Sequence, residues 1–581
     1  PEQNPACARV PRDAVAAQER LLPFLLNPLS YPHRPRSVRL IQTHASFVFV
    51  APPFVFKVKK PVNFGFLNYS TLEKRRHFCE REVALNRRLC PDVYLAVVPI
   101  SAKNGRFTFG EGAEAVEYAV KMRKLSEPGF LDKLVMRDEV VPGDLDRVAR
   151  VLKRFYQAQE PSGGIEAWGQ LDRLRISTDE NYRQARPFIG HTISRLAFET
   201  IRFYTSQFYR RHAGLFAARV RQKRIRDCHG DLHLEHIHVT PRAVHIYDGI
   251  EFNDRFRYID VANDVAFLAM DLDYEGRPDL ARHFVRQMAS ALNDDDMPRL
   301  MDFYKCYRAF VRGKVESLHS IAHAAPETER QASAERARRY FRLALQYAVA
   351  GAQPLALVVM GRIASGKSTL AKALGIELGW PIYSSDYLRK QMAGFPLYER
   401  SPAGARKRLY SGAMTAKTYE RLLTDAVAQA RQGHSVILDA TFARRAQRQL
   451  LAKVFQASGA AWRMLEARAA NPVVKQRLRN REASPAEVSD ARLEDFAMLS
   501  GLYEPPAELP LRQCLKVSTS GPLSLTVSKA LRQLARLQVE SPRPSLAREC
   551  PAVLEKQRGS KIDASLAIAV ESSGPAQGKV R

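Results

Sequence analysis

Cysteine is scarce in this chain and scattered where it occurs. The seven, Cys7, Cys79, Cys90, Cys228, Cys306, Cys514 and Cys550, form no CxxC pair and join no His/Cys cluster at zinc-finger spacing. That excludes a zinc ribbon or a disulfide-stapled scaffold and suits a reducing compartment. Long apolar runs are missing too: none approaches the roughly 18 residues of a membrane span. The first residues, PEQNPACARVPRDAV, lack the apolar core of a signal peptide. The expectation is a soluble cytoplasmic protein with no membrane partner. Acidic residues are outnumbered, 61 against 90 Lys and Arg, for a net charge of +29. The excess is dispersed over RQKR (221–224), RKR (406–408) and RLRNR (477–481), without basic–aromatic alternation. A solvated, phosphate-tolerant surface is therefore favoured over a dedicated nucleic-acid module. At 581 residues the chain also exceeds what one hydrophobic core can organise.

What is present is phosphate chemistry. LALVVMGRIASGKSTLAKAL (355–374) runs from an apolar strand through a glycine loop into an amphipathic helix, and Gly361 to Ser368 fits GxxxxGK[ST]. Glycines at both ends let backbone N–H groups converge on phosphate oxygens at a helix N-terminus. Gly361, Ser365, Gly366, Lys367, Ser368 and Thr369 are the candidate ATP contacts. Lys367 is placed to reach the terminal phosphates and Ser368 to ligate Mg²⁺. PIYSSDYLRK brings a second strand to Asp386, and SVILDATF (435–442) a third to Asp439. Carboxylates at strand ends belong at the carboxyl edge of a parallel sheet, beside the phosphates.

This order resembles the small-molecule and polynucleotide kinases of the P-loop superfamily, the group that includes gluconate kinase, zeta toxins and polynucleotide 5′-kinases. The resemblance implies Asp386 as the base for an acceptor hydroxyl and Asp439 as a residue of the Mg²⁺ shell. A basic helix in NPVVKQRLRNREASPAEVSDARLEDF offers Arg477, Arg479 and Arg481 as lid arginines, of which Arg479 is taken as the catalytic candidate. CLKVSTS (514–520) and the helix after it complete the α/β unit.

The first half carries a second set of signals. In SFVFVAPPFVFKVKKPVNFG two short strands meet at PP, and period-two alternation puts Val55, Lys57 and Lys59 on one face. TLEKRRHFCEREVALNRRL is helical, with Leu72, Cys79, Val83 and Cys90 on a stripe and Glu82 at its edge. A strand lysine and a helix glutamate form the ion pair that positions ATP phosphates in protein-kinase-like folds. AVEYAVKMRKL (115–125) supplies a strand and hinge, and CHGDLHLEHIH (228–238) a loop. VHIYDGIEFND follows. The layout resembles the aminoglycoside phosphotransferase family, whose catalytic loop reads HGDxxxxN. Carried over, Asp231 is the catalytic base, Asp248 the metal-chelating aspartate, and Lys57 pairs with Glu82; which of Lys57 and Lys59 meets phosphate stays open.

His236 stands where that family has asparagine. Imidazole is a poor Mg²⁺ ligand and a good one for zinc-like metals, so the second ion is weakened or lost, or else Glu235, or His233 and His236 together, recruit a different one.

CHGDLH followed by IEFND closely resembles a bacterial class that fuses such a domain to a P-loop kinase, over roughly residues 20 to 540. The implied fold is multidomain, α+β and α/β: an N-terminal protein-kinase-like two-lobed fold and a C-terminal P-loop NTPase with a parallel sheet flanked by helices. The divisions are 1–325, a helical linker at 326–353, 354–539, and a disordered tail at 540–581.

The expected activity is transfer of the γ-phosphate of ATP, with Mg²⁺, to a hydroxyl of a small molecule, mainly by the C-terminal half. The Arg/Lys-rich segment from 150 to 225 favours an anionic acceptor over polycationic aminoglycosides. Two alternatives stand beside this: an N-terminal nucleotide-sensing pseudokinase that regulates the other half, and a polynucleotide 5′-kinase. In MDFYKCYRAFVRGKVESLHS, the residues Arg308, Arg312 and Lys314 face either the kinase-like cleft or solvent, and solvent is the favoured expectation.

Overall fold

The computed structural model describes residues 12–110, 114–322, 325–482 and 488–540. The tail beyond residue 540 and the Ser/Pro hinge at 483–487 lie outside the described residues. Among the described residues no helix is long and apolar enough to cross a membrane.

The chain begins with an antiparallel sheet of β1 (Arg39–Gln42), β2 (Ser46–Ala51), β3 (Phe54–Lys59), β4 (Tyr94–Lys103), β5 (Arg106–Phe109) and β6 (Glu114–Arg123), in the order β1-β2-β3-β6-β4-β5. Alternation along FVFKVK turns Phe56 and Val58 into an apolar cluster with Tyr31, Phe49 and Ile100. Lys57 and Lys59 therefore face the other side, where the helix Leu72–Asn86 lies. Thr71 caps that helix, its hydroxyl accepting the Lys74 N–H at 3.3 Å. Its buried residues are Arg75, Cys79, Glu82, Val83 and Asn86, one stripe at helical period. Cys79 and Val83 pack against Val93, Tyr94 and Val120, and Cys90 joins this cluster from beyond the helix end. Two members of the stripe carry charge, so both need partners. Arg75 finds Glu117 of β6 at 2.9 Å, and Glu82 finds the two lysines.

Beyond the sheet the chain is mostly helical. Two short antiparallel pairs, β7 (Ile225–Asp227) with β10 (Tyr258–Asp260) and β8 (Ile237–Val239) with β9 (Val244–Ile246), bracket the CHGDLHLEH segment. The helix Val261–Tyr274 runs through the centre, with twelve of its residues buried. Next to it lies Met297–Ser320, antiparallel to Glu327–Val349. These two approach so closely that a Cβ on Gly313 would stand 2.9 Å from the Phe341 ring.

The C-terminal sheet is wholly parallel, with β11 (Leu355–Met360), β12 (Ile382–Ser384), β13 (Val436–Asp439), β14 (Ala461–Arg468) and β15 (Cys514–Ser518) in the order β12-β13-β11-β14-β15. All six residues of β11 are buried, as a central strand covered on both faces requires. Among the described residues this half shares one compact unit with the N-terminal half. Asp302 accepts the Ala352 N–H at 2.9 Å and the Gln538 side-chain amide at 2.8 Å, and Ser194 donates to Glu377 at 2.5 Å. Within the proposed linker, Ala337, Tyr340, Phe341, Ala344 and Leu345 are buried, so the segment is packed helix rather than a loose tether.

The basic residues of Met297–Ser320 depart from the expectation of a solvated face. Arg308 is buried and Arg312 is half-buried. Lys314 turns inward to donate to Asn181 at 2.7 Å and Gln184 at 2.8 Å.

Burial pushes the Lys314 pKa down from 10.5 to about 8, with Glu180 opposing weakly. Between those values the unfolded chain binds more protons than the folded one, so folding gains as pH rises. Relative to Lys314→Met, the wild type should gain up to about 3 kcal/mol between roughly pH 8 and 10.5. Paired thermal melts across that range check it; a pH-independent difference contradicts the assignment.

Candidate functional site

The N-terminal site is built around Glu82, whose side chain is fully buried. One of its oxygens takes Lys57 at 2.9 Å and the other Lys59 at 2.6 Å. The lysines then diverge. Lys59 is sealed in, bonded also to Glu251 and near Tyr69. Lys57 keeps some exposure and reaches Asp248 at 2.6 Å. Burial disfavours charge on Lys57, but Asp248 and Glu82 outweigh it and hold its pKa well above the ordinary value. The same pairing, with His236 adding, keeps the Asp248 carboxyl below the usual range against its burial. Lys57 is thus the lysine that faces the open cleft.

Asp248 has φ +59, a left-handed conformation rare outside glycine. The Tyr94 hydroxyl accepts its N–H at 3.2 Å, and Asn86, on the Glu82 helix, accepts that of Gly249 at 2.8 Å. The CHGD turn is held as firmly. Asp264 accepts the N–H groups of His229 and Gly230, both at 3.0 Å, and the Tyr156 hydroxyl at 2.8 Å. Arg308 donates to the Gly230 carbonyl at 3.0 Å. Gly230 has φ +86, and a Cβ there would lie 2.7 Å from the Phe256 carbonyl oxygen, so no other residue fits.

Asp231 projects from this turn with its side chain 34% exposed. His233 Nε2 stands 3.5 Å and His236 Nδ1 3.6 Å from its Oδ2, while His236 Nε2 lies 3.6 Å from Asp248 Oδ2. His236 therefore bridges the two aspartates. Burial, then the neighbouring His233, depresses its pKa to about 3. His233 is shifted the other way: Asp231 overcomes burial and raises it.

In the C-terminal half the glycine loop leaves β11 with Gly361 at φ +150 and Gly366 at φ +88. A Cβ on Gly361 would meet the Ala467 carbonyl at 2.5 Å. The helix Lys367–Leu378 begins immediately after, so the loop's N–H groups gather at a helix N-terminus. Register sets Asp439 opposite Val359 on one side and Ser384 on the other, between the phosphate loop and the segment carrying Asp386. Asp439 Oδ1 is buried without a hydrogen-bond partner. Burial raises its pKa despite Lys367 and a hydrogen bond with Ser368. A buried, partnerless carboxylate oxygen beside a serine hydroxyl is a donor set that fits Mg²⁺.

Asp386 lies in the first turn of the helix Ser385–Met392 rather than at the strand end, and Arg389 donates to it at 2.9 Å. A cavity of about 380 Å³ opens beside Gly366 and Thr369, lined also by Arg477, Arg481 and Thr519. Arg477 donates to the Thr519 carbonyl at 2.5 Å. Arg479, two residues along the same helix and so about 200° around it, is exposed and does not line the cavity.

The fold thus gathers Lys57, Glu82, Asp231, His236 and Asp248 in one cluster. It gathers Gly361, Ser365, Gly366, Lys367, Ser368, Thr369, Asp386 and Asp439 around the phosphate loop of the other. Sequence reasoning passed over Glu251, Asp264 and Arg389, and gave Arg308 to solvent. Only Arg389 had a local signal, three residues after Asp386 on a helix.

The AAA domain family matches residues 357–506. Among curated proteins, "Uncharacterized protein Rv2004c" of Mycobacterium tuberculosis (strain ATCC 25618 / H37Rv) is 33% identical over 401 residues, spanning 69% of this chain and 78% of that protein. "Uncharacterized protein Mb2027c" of Mycobacterium bovis matches to the same extent. Among solved structures, a gluconokinase from Sinorhizobium meliloti 1021 matches at 21% identity, covering 32% of this chain and 93% of that one, with a TM-score of 0.22. A choline kinase from Cryptosporidium parvum Iowa II matches at 12% identity over 56% of this chain and 94% of that one, with a TM-score of 0.36. On the mycobacterial identity and coverage, the chain belongs to the family of Rv2004c.

Proposed function

We propose that the chain is an ATP-dependent phosphotransferase with two ATP-binding halves, and that the C-terminal half transfers the γ-phosphoryl group to a hydroxyl of an anionic small molecule. The observation that carries this reading is the partnerless buried oxygen of Asp439, set between the phosphate loop and the Asp386 segment. The loop N–H groups and Lys367 bind the phosphates, and Ser368 and Asp439 are the residues that would hold Mg²⁺. The ion, when bound, neutralises charge on the β- and γ-oxygens. Asp386 takes the acceptor's proton as the new O–P bond forms and the bond from γ-phosphorus to the β,γ-bridging oxygen breaks, releasing ADP. Arg477 and Arg481, rather than Arg479, flank the nucleotide cavity. The Nε of Arg389, buried and without a partner, favours an acceptor that brings a carboxylate or phosphate.

In the N-terminal half, Lys57 and Asp248 are the phosphate- and metal-facing pair, and Lys59 is structural. Because an imidazole bridges Asp231 and Asp248, sensing of nucleotide is the second reading for this half.

Two outcomes follow. With an acceptor found by screening hydroxy acids and phosphorylated polyols, Asp386→Asn should lower turnover about 10²- to 10⁴-fold while ATP binding persists; unchanged turnover removes Asp386 as the base. Lys59→Met leaves Glu82 and Glu251 short of a buried cation and should cost about 3–5 kcal/mol in stability. Lys57→Met should mainly weaken ATP binding in that half. Calorimetric melts and ATP titrations of both variants separate the roles; the reverse pattern assigns the phosphate contact to Lys59.

A further inference from the structure

The N-terminal cleft sets two imidazoles beside Asp231, an addition that phosphate transfer does not require. Asp231, His233 and His236 each offer one ligand atom, all within 4.8 Å of one another. The separations from Asp231 Oδ2, 3.5 Å to His233 Nε2 and 3.6 Å to His236 Nδ1, are too long for good hydrogen bonds. They are close to the spacing of about 3.4 Å between donors that each lie about 2.1 Å from a tetrahedral ion.

The far side of each ring adds an independent observation. His233 Nδ1 is buried with no hydrogen-bond partner, and the Glu235 carboxylate lies 4.0 Å from it. His236 Nε2 faces the Asp248 carboxylate at 3.6 Å. Both imidazoles thus present one nitrogen to Asp231 and the other to a second carboxylate. Both separations exceed hydrogen-bond length, and a small ring shift on ligation brings each carboxylate to where it orients a metal-ligating histidine and raises its basicity. Arg312, the nearby cation, reaches toward Glu316 at 3.9 Å and over the Tyr340 ring.

We propose that Asp231, His233 and His236 bind a nitrogen-preferring divalent metal of the zinc class, with Glu235 and Asp248 orienting the two rings and a fourth position open toward the cleft. Two imidazoles and one carboxylate suit Zn²⁺ or Co²⁺ and are a poor set for Mg²⁺. Entry is from the cleft, where Asp231 is partly exposed. Binding exchanges the 3.0 Å contact between His236 Nδ1 and the Asp231 carbonyl for a ligand bond. It also occupies the carboxylate placed as this half's base, so the ion suppresses phosphate transfer there while leaving the Lys57 side of the cleft open. The proposal deepens the reading of the N-terminal half by naming its ligand. Its test needs no nucleotide, so failure of ATP binding and failure of metal binding are separate results.

The experiment is titration of the full chain with Co²⁺ in excess Mg²⁺, reading the visible band of four-coordinate cobalt, and X-ray absorption of the Zn²⁺-loaded chain. One saturating ion per chain with two imidazole scatterers is expected. His236→Asn should abolish the cobalt band. Glu235→Gln, at an exposed position that leaves folding intact, should weaken binding about 10- to 100-fold. Absence of the band in wild type, its survival in His236→Asn, or sulfur ligation in the absorption spectrum would overturn the proposal. The X-ray measurement on wild type decides the matter even where a variant does not fold.

Discussion

A carboxylate with no exposure to water, Glu82, sets the terms for the N-terminal half. An ionised group in that position is tolerated only when its charge and lone pairs are met. Here it takes one lysine on each oxygen. Both lysines come from one face of β3, so the strand's alternation and the helix's phase must agree. Glu251 then has to reach Lys59, and Asp248 has to reach Lys57. Those contacts draw the segment after β9 against the sheet. The positions of Lys57 and Asp248 in the cleft follow from satisfying this one buried charge.

The C-terminal half solves a similar problem with backbone. Its loop gathers N–H groups at a helix end, and a buried carboxylate oxygen without a hydrogen-bond partner, on Asp439, is suited to a cation rather than to a lysine. The two halves meet through packed helices, not through a free linker. The helix that fixes the CHGD turn through Arg308 runs antiparallel to Glu327–Val349, and Asp302 on that same helix ties down the chain just before β11 and the C-terminal helix. The arrangement gives both sites a common rigid support.

The legible parts of this fold were those set by local geometry. GRIASGKS announced its loop because backbone convergence demands glycine at fixed places, as Gly361 and Gly366 bear out in their positive φ. Lys57 and Glu82 were legible as an alternation and a helical stripe. Choosing between Lys57 and Lys59 was not, since both share a face and what tells them apart is Asp248, 191 residues beyond Lys57, and Glu251, 192 beyond Lys59. Arg308 read as solvated because an arginine on an amphipathic helix usually is; its partners, Gly230 and Asn263, are brought by tertiary packing. Arg479 was singled out among three arginines, yet helix phase puts Arg477 and Arg481 on the cavity. His233 and His236 were legible as a pair for a zinc-like ion because imidazole stands where asparagine is expected; Asp231 as a third ligand was not, since its convergence on them depends on a turn.

The most direct measurement is calorimetric titration of the full chain with Mg·ATP, on wild type, Lys367→Ala and Asp248→Ala. Two binding events in wild type, one lost in each variant, is the predicted result. A single event that disappears in Lys367→Ala and is untouched by Asp248→Ala would contradict the claim that both halves bind nucleotide.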